Sequence, residues 1–88
     1  MIAKKASSYS EDPSGCYIGR VVVTGTNVRL RSTPQINNYN ILKDRHGMNL
    51  HPRKGEVLPC IDIAEDFYYV DFHGTTCYIS SQFTNFID

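Results

Sequence analysis

Hydrophobic and polar residues alternate in short runs through the second half of the chain. These runs predict three β-strands, over residues 56–63, 67–72 and 75–80. Residues 64–66 and residues 73–74 lie between the runs and predict tight turns. Because tight turns join neighbouring antiparallel strands, residues 67–72 are expected to form the centre of a three-stranded meander.

The side chains of this central strand alternate between two faces of the sheet. One face carries Tyr68, Val70 and Phe72. The other face carries Phe67, Tyr69 and Asp71. Because a carboxylate is costly to bury, we expect the Asp71 face to contact water. Phe67 and Tyr69 are therefore predicted to be exposed aromatic side chains.

The first half of the chain carries two further strand patterns. Residues 20–24 contain three consecutive valines, which favours a strand. In residues 27–31, Val28 and Leu30 alternate with two arginines, so the apolar pair is expected in the core and the arginines outside. Pro34 has no N–H to give to a ladder, and it predicts the end of this second strand.

The remaining segments complete an all-β pattern. Residues 33–55 form a long polar connection, and its apolar piece at residues 41–42 is expected to contact the core. A connection of this length in a small domain is more often functional than idle, which makes it a candidate binding element. Residues 80–83 predict a single helical turn capped by Ser80 or Ser81, and residues 85–87 predict a last short strand.

Length and charge limit the classes of protein to consider. The 88 residues make one small domain, with residues 1–15 predicted as a flexible leader or linker and residues 16–88 as the folded part. Nine basic and nine acidic residues cancel, so we expect no nucleic-acid partner. No apolar run approaches the roughly 20 residues of a membrane helix, and no apolar run of a signal peptide follows the first lysines. We therefore expect no membrane span and no intact signal peptide.

Four blocks of the sequence, taken in order, resemble the bacterial SH3-like domains. They are VRLRSTP at residues 28–34, KGEVL at residues 54–58, DFYYVDF at residues 66–72, and an ending formed by Gly74, residues 78–80 and Phe83. The resemblance covers about residues 20–87. It implies a small SH3-like barrel of five to six short antiparallel strands with one helical turn near the C-terminus.

Two features depart from that family's pattern. The chain has no tryptophan, and Phe67 and Tyr78 stand at the two positions that often carry it. Cys77 replaces the glycine that usually precedes the second of these. Ligand specificity depends on such positions, so the resemblance does not carry over a particular ligand.

The resemblance also implies a function. Members of the family are mostly exported or envelope-associated bacterial proteins, and they often act as targeting modules beside cell-wall hydrolases. The expected function is a non-catalytic binding module of a bacterial envelope or secreted protein that recognises a peptide or a cell-wall (peptidoglycan) peptide. The expected location is extracytoplasmic if an export signal was removed, and cytoplasmic otherwise.

Seven residues are candidates for contact with such a ligand. An aromatic groove is expected to consist of Tyr39, Phe67, Tyr69 and Tyr78. The residues expected to orient the ligand are Arg29, Arg31 and Asp71. Aromatic grooves suit peptides because rigid rings give apolar contact at small entropic cost. The two arginines have a second interpretation, in which they form weak surface pairs with Asp71 or Glu56.

The cysteines and histidines do not predict catalysis. The sequence holds three of each, but none has metal-ligand spacing, so we expect no metal, no cofactor and no catalytic residue. Cys60 and Cys77 lie in predicted strands between apolar residues, where a buried thiol is the ordinary interpretation. These strands flank residues 67–72 on opposite sides, which separates them by roughly 9–10 Å and predicts free thiols.

Two other functions stay open from the sequence alone. In the first, the exposed aromatics form a contact with a protein partner or with a second copy of the chain, so that the module is structural. In the second, a small barrel binds RNA through a basic face with aromatic residues for stacking. That face would consist of Arg29, Arg31, Lys43, Arg45, Arg53 and Lys54 with Tyr39, Phe67 and Tyr69. The zero net charge argues against RNA.

Overall fold

Five short strands form one antiparallel sheet in the computed structural model, which describes residues 17–87. The strands are β1 Gly19–Val23, β2 Val57–Ala64, β3 Phe67–Phe72, β4 Thr75–Ser80 and β5 Thr84–Ile87. Their order across the sheet is β4-β3-β2-β1-β5. Residues 1–15, predicted to be a leader, lie outside the described residues. Cys16, the third cysteine of the sequence, also lies outside them.

The all-β prediction and the meander are confirmed, but the five-stranded sheet is not closed into a barrel. β4 and β5 are its two edges. Residues 27–31, expected as a strand, form no regular ladder, and Arg31 makes isolated bridges to Ile41 and Tyr78. Asn27 has a φ of 56°, a left-handed conformation that interrupts an extended backbone at the start of this segment.

The core nevertheless includes this irregular segment. Val28 is 4% exposed and Leu30 is fully buried, so the prediction that they face the core is confirmed. They pack with side chains from the inner face of the sheet, which include Val21, Val23, Leu58, Val70 and Ile79. The alternation of apolar side chains therefore identifies core residues even where no ladder forms.

The two buried cysteines lie on either side of the central strand. Val70 on β3 pairs with Cys60 on β2 and with Cys77 on β4. Both cysteines are buried free thiols, as predicted from the sheet order. The two flanking strands are separated by the width of β3, which is beyond the reach of a disulfide.

The long connection between β1 and β2 is folded back on itself. Leu42 donates its backbone N–H to Leu30 at 2.8 Å, and Leu50 donates to Leu42 at 3.0 Å. Leu42 and Leu50 pack against the core, which confirms the predicted contact at residues 41–42. The tip is a turn in which the Asp44 carboxylate accepts backbone N–H groups of His46 and Met48.

A single 3₁₀ turn, Ser81–Phe83, joins β4 to β5, as predicted. The Ser80 hydroxyl caps it by accepting the backbone N–H of Gln82 at 3.2 Å. The N–H of Ser81 donates to the carbonyl of Asp66 at 2.8 Å. This bond holds the 3₁₀ turn against the start of β3, and the two elements together form one side of the candidate site.

Candidate functional site

A groove of about 300 Å³ lies where the irregular segment meets the 3₁₀ turn. It is lined by residues 26–29, Arg31 and Ile36 on the side of the irregular segment, and by the start of β3, the end of β4 and the 3₁₀ turn on the side of the sheet. The side chains that define it are Arg29, Arg31, Ile36, Phe67, Gln82 and Phe83. Ile36 is 80% exposed and Phe83 is 44% exposed, so the groove offers apolar surface to a ligand.

Phe67 lies on the buried side of this groove and is only 7% exposed. The prediction that it is an exposed aromatic was wrong. The alternation along β3 correctly places Phe67 on the opposite face of the sheet from the core residue Val70. Elements distant in sequence nevertheless cover the end of the strand that carries Phe67. The 3₁₀ turn is the nearest of them, because Ser81 is hydrogen-bonded to the residue before Phe67.

Arg31 holds the loop that forms the groove wall. Its Nη1 donates to the carbonyl of Asn37 at 2.7 Å and to Oδ1 of Asn40 at 2.9 Å. No ion pair joins Arg31 to Asp71 or Glu56 within residues 17–87. Contact of Arg31 with a ligand stays a prediction, since it lines the groove and only its Nη1 is engaged. Its guanidinium is positioned by the loop, so we treat it as a residue that shapes the groove.

Asn40 lies at the centre of the same loop and is 6% exposed. Its Nδ2 donates to the carbonyl of Gln35 at 2.7 Å and to Oγ1 of Thr33 at 2.8 Å. The Asn37 carboxamide adds an Asx-type turn by accepting the backbone N–H of Asn40 at 3.0 Å. These bonds fold residues 31–40 into one shape and thereby hold Ile36 beside the groove. The sequence reasoning missed Asn40, because its only signal was a run of polar residues.

Arg29 is the groove arginine whose guanidinium forms no hydrogen bond with the described residues. Its side chain is exposed and makes no hydrogen bond or ion pair with any residue in the range 17–87. The carboxylates considered as its partners are engaged elsewhere. Asp71 accepts the Tyr17 hydroxyl at 2.9 Å and the N–H of Gly74 at 2.7 Å, and Glu56 contacts His73. Arg29 is therefore available to a ligand.

Tyr69 and Tyr78 form an aromatic pair next to the groove. They are directly opposite each other on β3 and β4, with ring centroids 4.7 Å apart and an interplanar angle of 39°. Both are partly buried. Phe67 and Ser80, which line the groove, are the next pair on the same face, roughly 7 Å along the strands. The groove and the tyrosine pair thus form one continuous strip.

The other two predicted site residues lie outside the groove. Asp71 pairs with Thr76 at the far end of the strip from Phe67. Tyr39 is 97% exposed on the long connection and does not line the groove. The structure therefore brings together Arg29, Arg31 and Phe67, places the tyrosine pair beside them, and leaves Tyr39 apart.

Most of the groove lining was not anticipated as site residues from the sequence. Ile36 and Phe83 supply the apolar walls and Gln82 supplies an amide. Phe83 was recognised as part of the helical turn but not as a site residue. An aromatic residue in a turn that follows an edge strand is the signal that could have identified it. One side of the Phe83 side chain lies against Gly25, and 44% of the residue remains exposed.

The thiols of the described region are poorly suited to nucleophilic chemistry. Burial raises the pKa of Cys77 to about 12, and the nearby Asp71 carboxylate adds to this effect. Burial also raises the pKa of Cys60. A cysteine attacks as its thiolate, which neither residue forms readily near neutral pH. Within residues 17–87, no group of three His, Cys, Asp or Glu side chains is placed to hold a metal ion.

Comparisons of the chain with known proteins gave no match to a family model, to a curated protein or to a solved structure. Residues 17–87 contain no helix with the length and apolar character needed to cross a membrane.

Proposed function

We propose that the chain is an SH3-like, non-catalytic binding module that recognises a peptide, with peptidoglycan peptides of a bacterial envelope as the ligand class to test first. The order of elements supports this, with a long connection between β1 and β2 and a 3₁₀ turn between β4 and β5. In this proposal residues 27–31 act as the remaining strand of an incomplete barrel. Arg31 exchanges two backbone hydrogen bonds with Tyr78 of β4, at 2.9 and 2.7 Å, which supports that role.

The observation that carries the binding function is the strip formed by the groove and the tyrosine pair. The groove has exposed apolar walls at Ile36 and Phe83, and Tyr69 and Tyr78 extend the surface along β3 and β4. Rigid aromatic rings lose little entropy when a ligand orders against them. The unpaired guanidinium of Arg29 adds a polar contact that fixes orientation. This combination suits a short peptide better than a nucleic acid, which requires a wider basic surface.

A titration followed by two-dimensional NMR tests this function. We expect muropeptides at millimolar concentration to shift the amide signals of Ile36, Tyr69, Tyr78 and Phe83, while the chain remains monomeric. Tyr39 should not shift, because it lies outside the groove. Absence of any shift at the groove with muropeptides and with unrelated short peptides would contradict a peptide-binding function.

A pair of variants sharpens the test. Phe83→Ala removes an apolar wall of the groove, and Ile63→Ala removes a comparably exposed apolar side chain on β2 that does not line it. We expect Phe83→Ala to weaken binding and Ile63→Ala to leave it unchanged. Equal effects of the two substitutions would show that the ligand does not occupy the groove.

The exposed apolar side chains also favour a second function, assembly with a protein partner or a second copy. Val57 and Ile63 on β2 are 47% and 52% exposed, in addition to the groove residues. In the assembly function these side chains are covered by protein, and the chain is a dimer or a complex in solution. Sedimentation equilibrium decides between the two: a stable dimer that dissociates in Phe83→Ser would favour assembly over peptide binding.

A further inference from the structure

The groove has an uneven distribution of charge. Its lining includes two arginines and no Asp or Glu among the described residues. Arg31 is committed to Asn37 and Asn40, whereas Arg29 has no partner in residues 17–87. The remaining lining residues are neutral. The groove therefore carries two positive charges with no carboxylate partner among residues 17–87, and of the two guanidiniums only that of Arg29 is free of hydrogen bonds. Such a groove is complementary to a ligand with a negative charge and an apolar group.

The size of the groove limits how much of a peptide it can hold. Its volume of about 300 Å³ is at the lower end of the roughly 300–1,000 Å³ of typical ligand pockets. A space of this size fits one or two residues and not a long extended segment. The end of a chain meets this limit and also supplies a charge, since a C-terminal residue carries a free carboxylate beside its own side chain.

We propose, on the basis of the binding function above, that the groove takes the C-terminal residue of a peptide. Arg29 pairs with the free α-carboxylate, and the last side chain, which is apolar, lies between Ile36 and Phe83. A guanidinium suits this role because its planar N–H groups can form two parallel hydrogen bonds with one carboxylate. The tyrosine pair then contacts the residues that precede the terminus, because it lies next to the groove on the same face.

Two peptides that differ only at the terminus test the proposal. The probes are N-acetyl-Gly-Ala-Leu with a free carboxylate and the same peptide as its C-terminal amide, each prepared with either chirality at the last residue. Binding is measured by NMR titration of the full chain at low salt. We expect the acid to bind roughly fivefold to tenfold more tightly than the amide, as for one charge-assisted hydrogen-bonded pair at a partly solvated site. Added salt should reduce this difference.

A matched pair of charge variants identifies the arginine. Arg29→Gln should remove most of the preference for the acid, and the charge of Arg31 in the same groove accounts for any remainder. Arg45→Gln removes the same charge from an exposed position in the turn at residues 44–47, outside the groove, and should keep the preference. Both side chains are exposed, so both variants should retain the amide spectrum of the folded protein.

Each other outcome overturns a distinct part of the proposal. Equal affinity for acid and amide, with shifts at the groove, would leave the binding function standing and overturn recognition of the terminus. A preference for the acid that is undiminished in Arg29→Gln would overturn the role of Arg29. Failure of every peptide to shift the groove signals would overturn both the inference and the binding function.

Discussion

Arg31 and Asn40 are joined by a hydrogen bond of 2.9 Å from Nη1 to Oδ1, and this bond connects the irregular segment to the loop that follows it. The amide of Asn40 is nearly inaccessible to water, while its donors and acceptor are all used inside the loop. Burial of a carboxamide is costly unless its hydrogen bonds are formed. The shape of the groove wall therefore depends on one buried polar side chain.

Replacement of Asn40 by alanine should destabilise the protein and deform the groove. The substitution removes one of the two acceptors of the Arg31 guanidinium and leaves the carbonyl of Gln35 without its donor. We expect a loss of about 2–3 kcal/mol in the free energy of unfolding, measured by urea denaturation. Asn38→Ala is the control, since Asn38 is exposed and its side chain forms no bond with the described residues; its effect should stay within about 0.5 kcal/mol.

Leu30 should contribute to stability as a core residue although it belongs to no regular strand. It is fully buried, and truncation leaves a cavity that the neighbouring side chains can fill only in part. Leu30→Ala should lower the free energy of unfolding by about 2–5 kcal/mol, measured by thermal or urea denaturation. Ile36→Ala is a suitable contrast, because Ile36 is 80% exposed and should affect ligand binding but not stability.

A loss of this size can unfold a small domain completely, so a milder variant is needed as well. Leu30→Val removes a single methylene and should cost about 1 kcal/mol. A loss close to zero in Leu30→Val, in a protein that remains folded, would contradict the placement of this side chain in the core.

The local pattern predicts the strands well and the site less well. The alternation of apolar and polar residues and the short turns between the runs predict β3 and β4 with their observed bounds. Both signals depend only on residues that are neighbours in the sequence. The burial of Phe67 depends instead on the 3₁₀ turn and on residues 26–36, which reach it through tertiary contacts. Asn40 is likewise indistinguishable by type from Asn38, and only the folded loop makes one of them buried.

The same distinction explains the failure of the predicted strand at residues 27–31. Its apolar period correctly identifies Val28 and Leu30 as core residues, since burial follows the alternation. A ladder requires in addition a partner at matching register over several residues. The backbone bonds of this segment are divided between Leu42 of the long connection and Tyr78 of β4, so no single partner strand is available.

Cys60 and Cys77 should resist alkylation in the native protein. Both thiols are buried, so iodoacetamide cannot reach them in the folded protein. Burial also raises the pKa of each thiol, and the reactive thiolate is therefore scarce. We expect peptide mapping by mass spectrometry to find both unmodified after treatment at pH 8 and both modified after treatment in urea. Labelling of Cys77 in the native protein at the denatured rate, or recovery of a disulfide between the two, would contradict the structure.

Glu56 should make stability depend on pH in the acid range. Burial raises the pKa of this carboxyl. Two hydrogen bonds lower it, one from the backbone N–H of Arg53 and one from His73, and the positive charges of these two side chains lower it further. Together they outweigh burial, so the pKa of Glu56 is lowered. A lowered folded-state pKa means that the unfolded chain binds the proton more tightly. The stabilisation is therefore present above the ordinary carboxyl pKa of 4.5 and is lost as the pH falls through the lower pKa of the folded state.

Urea denaturation of the wild type and Glu56→Gln across this range checks the effect. The wild type should be the more stable at pH 6, and the difference should shrink as the pH falls below about 4.5, because protonation gives the wild type the same neutral side chain. Glu65→Gln is the matched control, since Glu65 is exposed in the turn between β2 and β3 and should show no such convergence. A difference between wild type and Glu56→Gln that stays constant from pH 6 to pH 3 would show that the charge of Glu56 does not stabilise the fold.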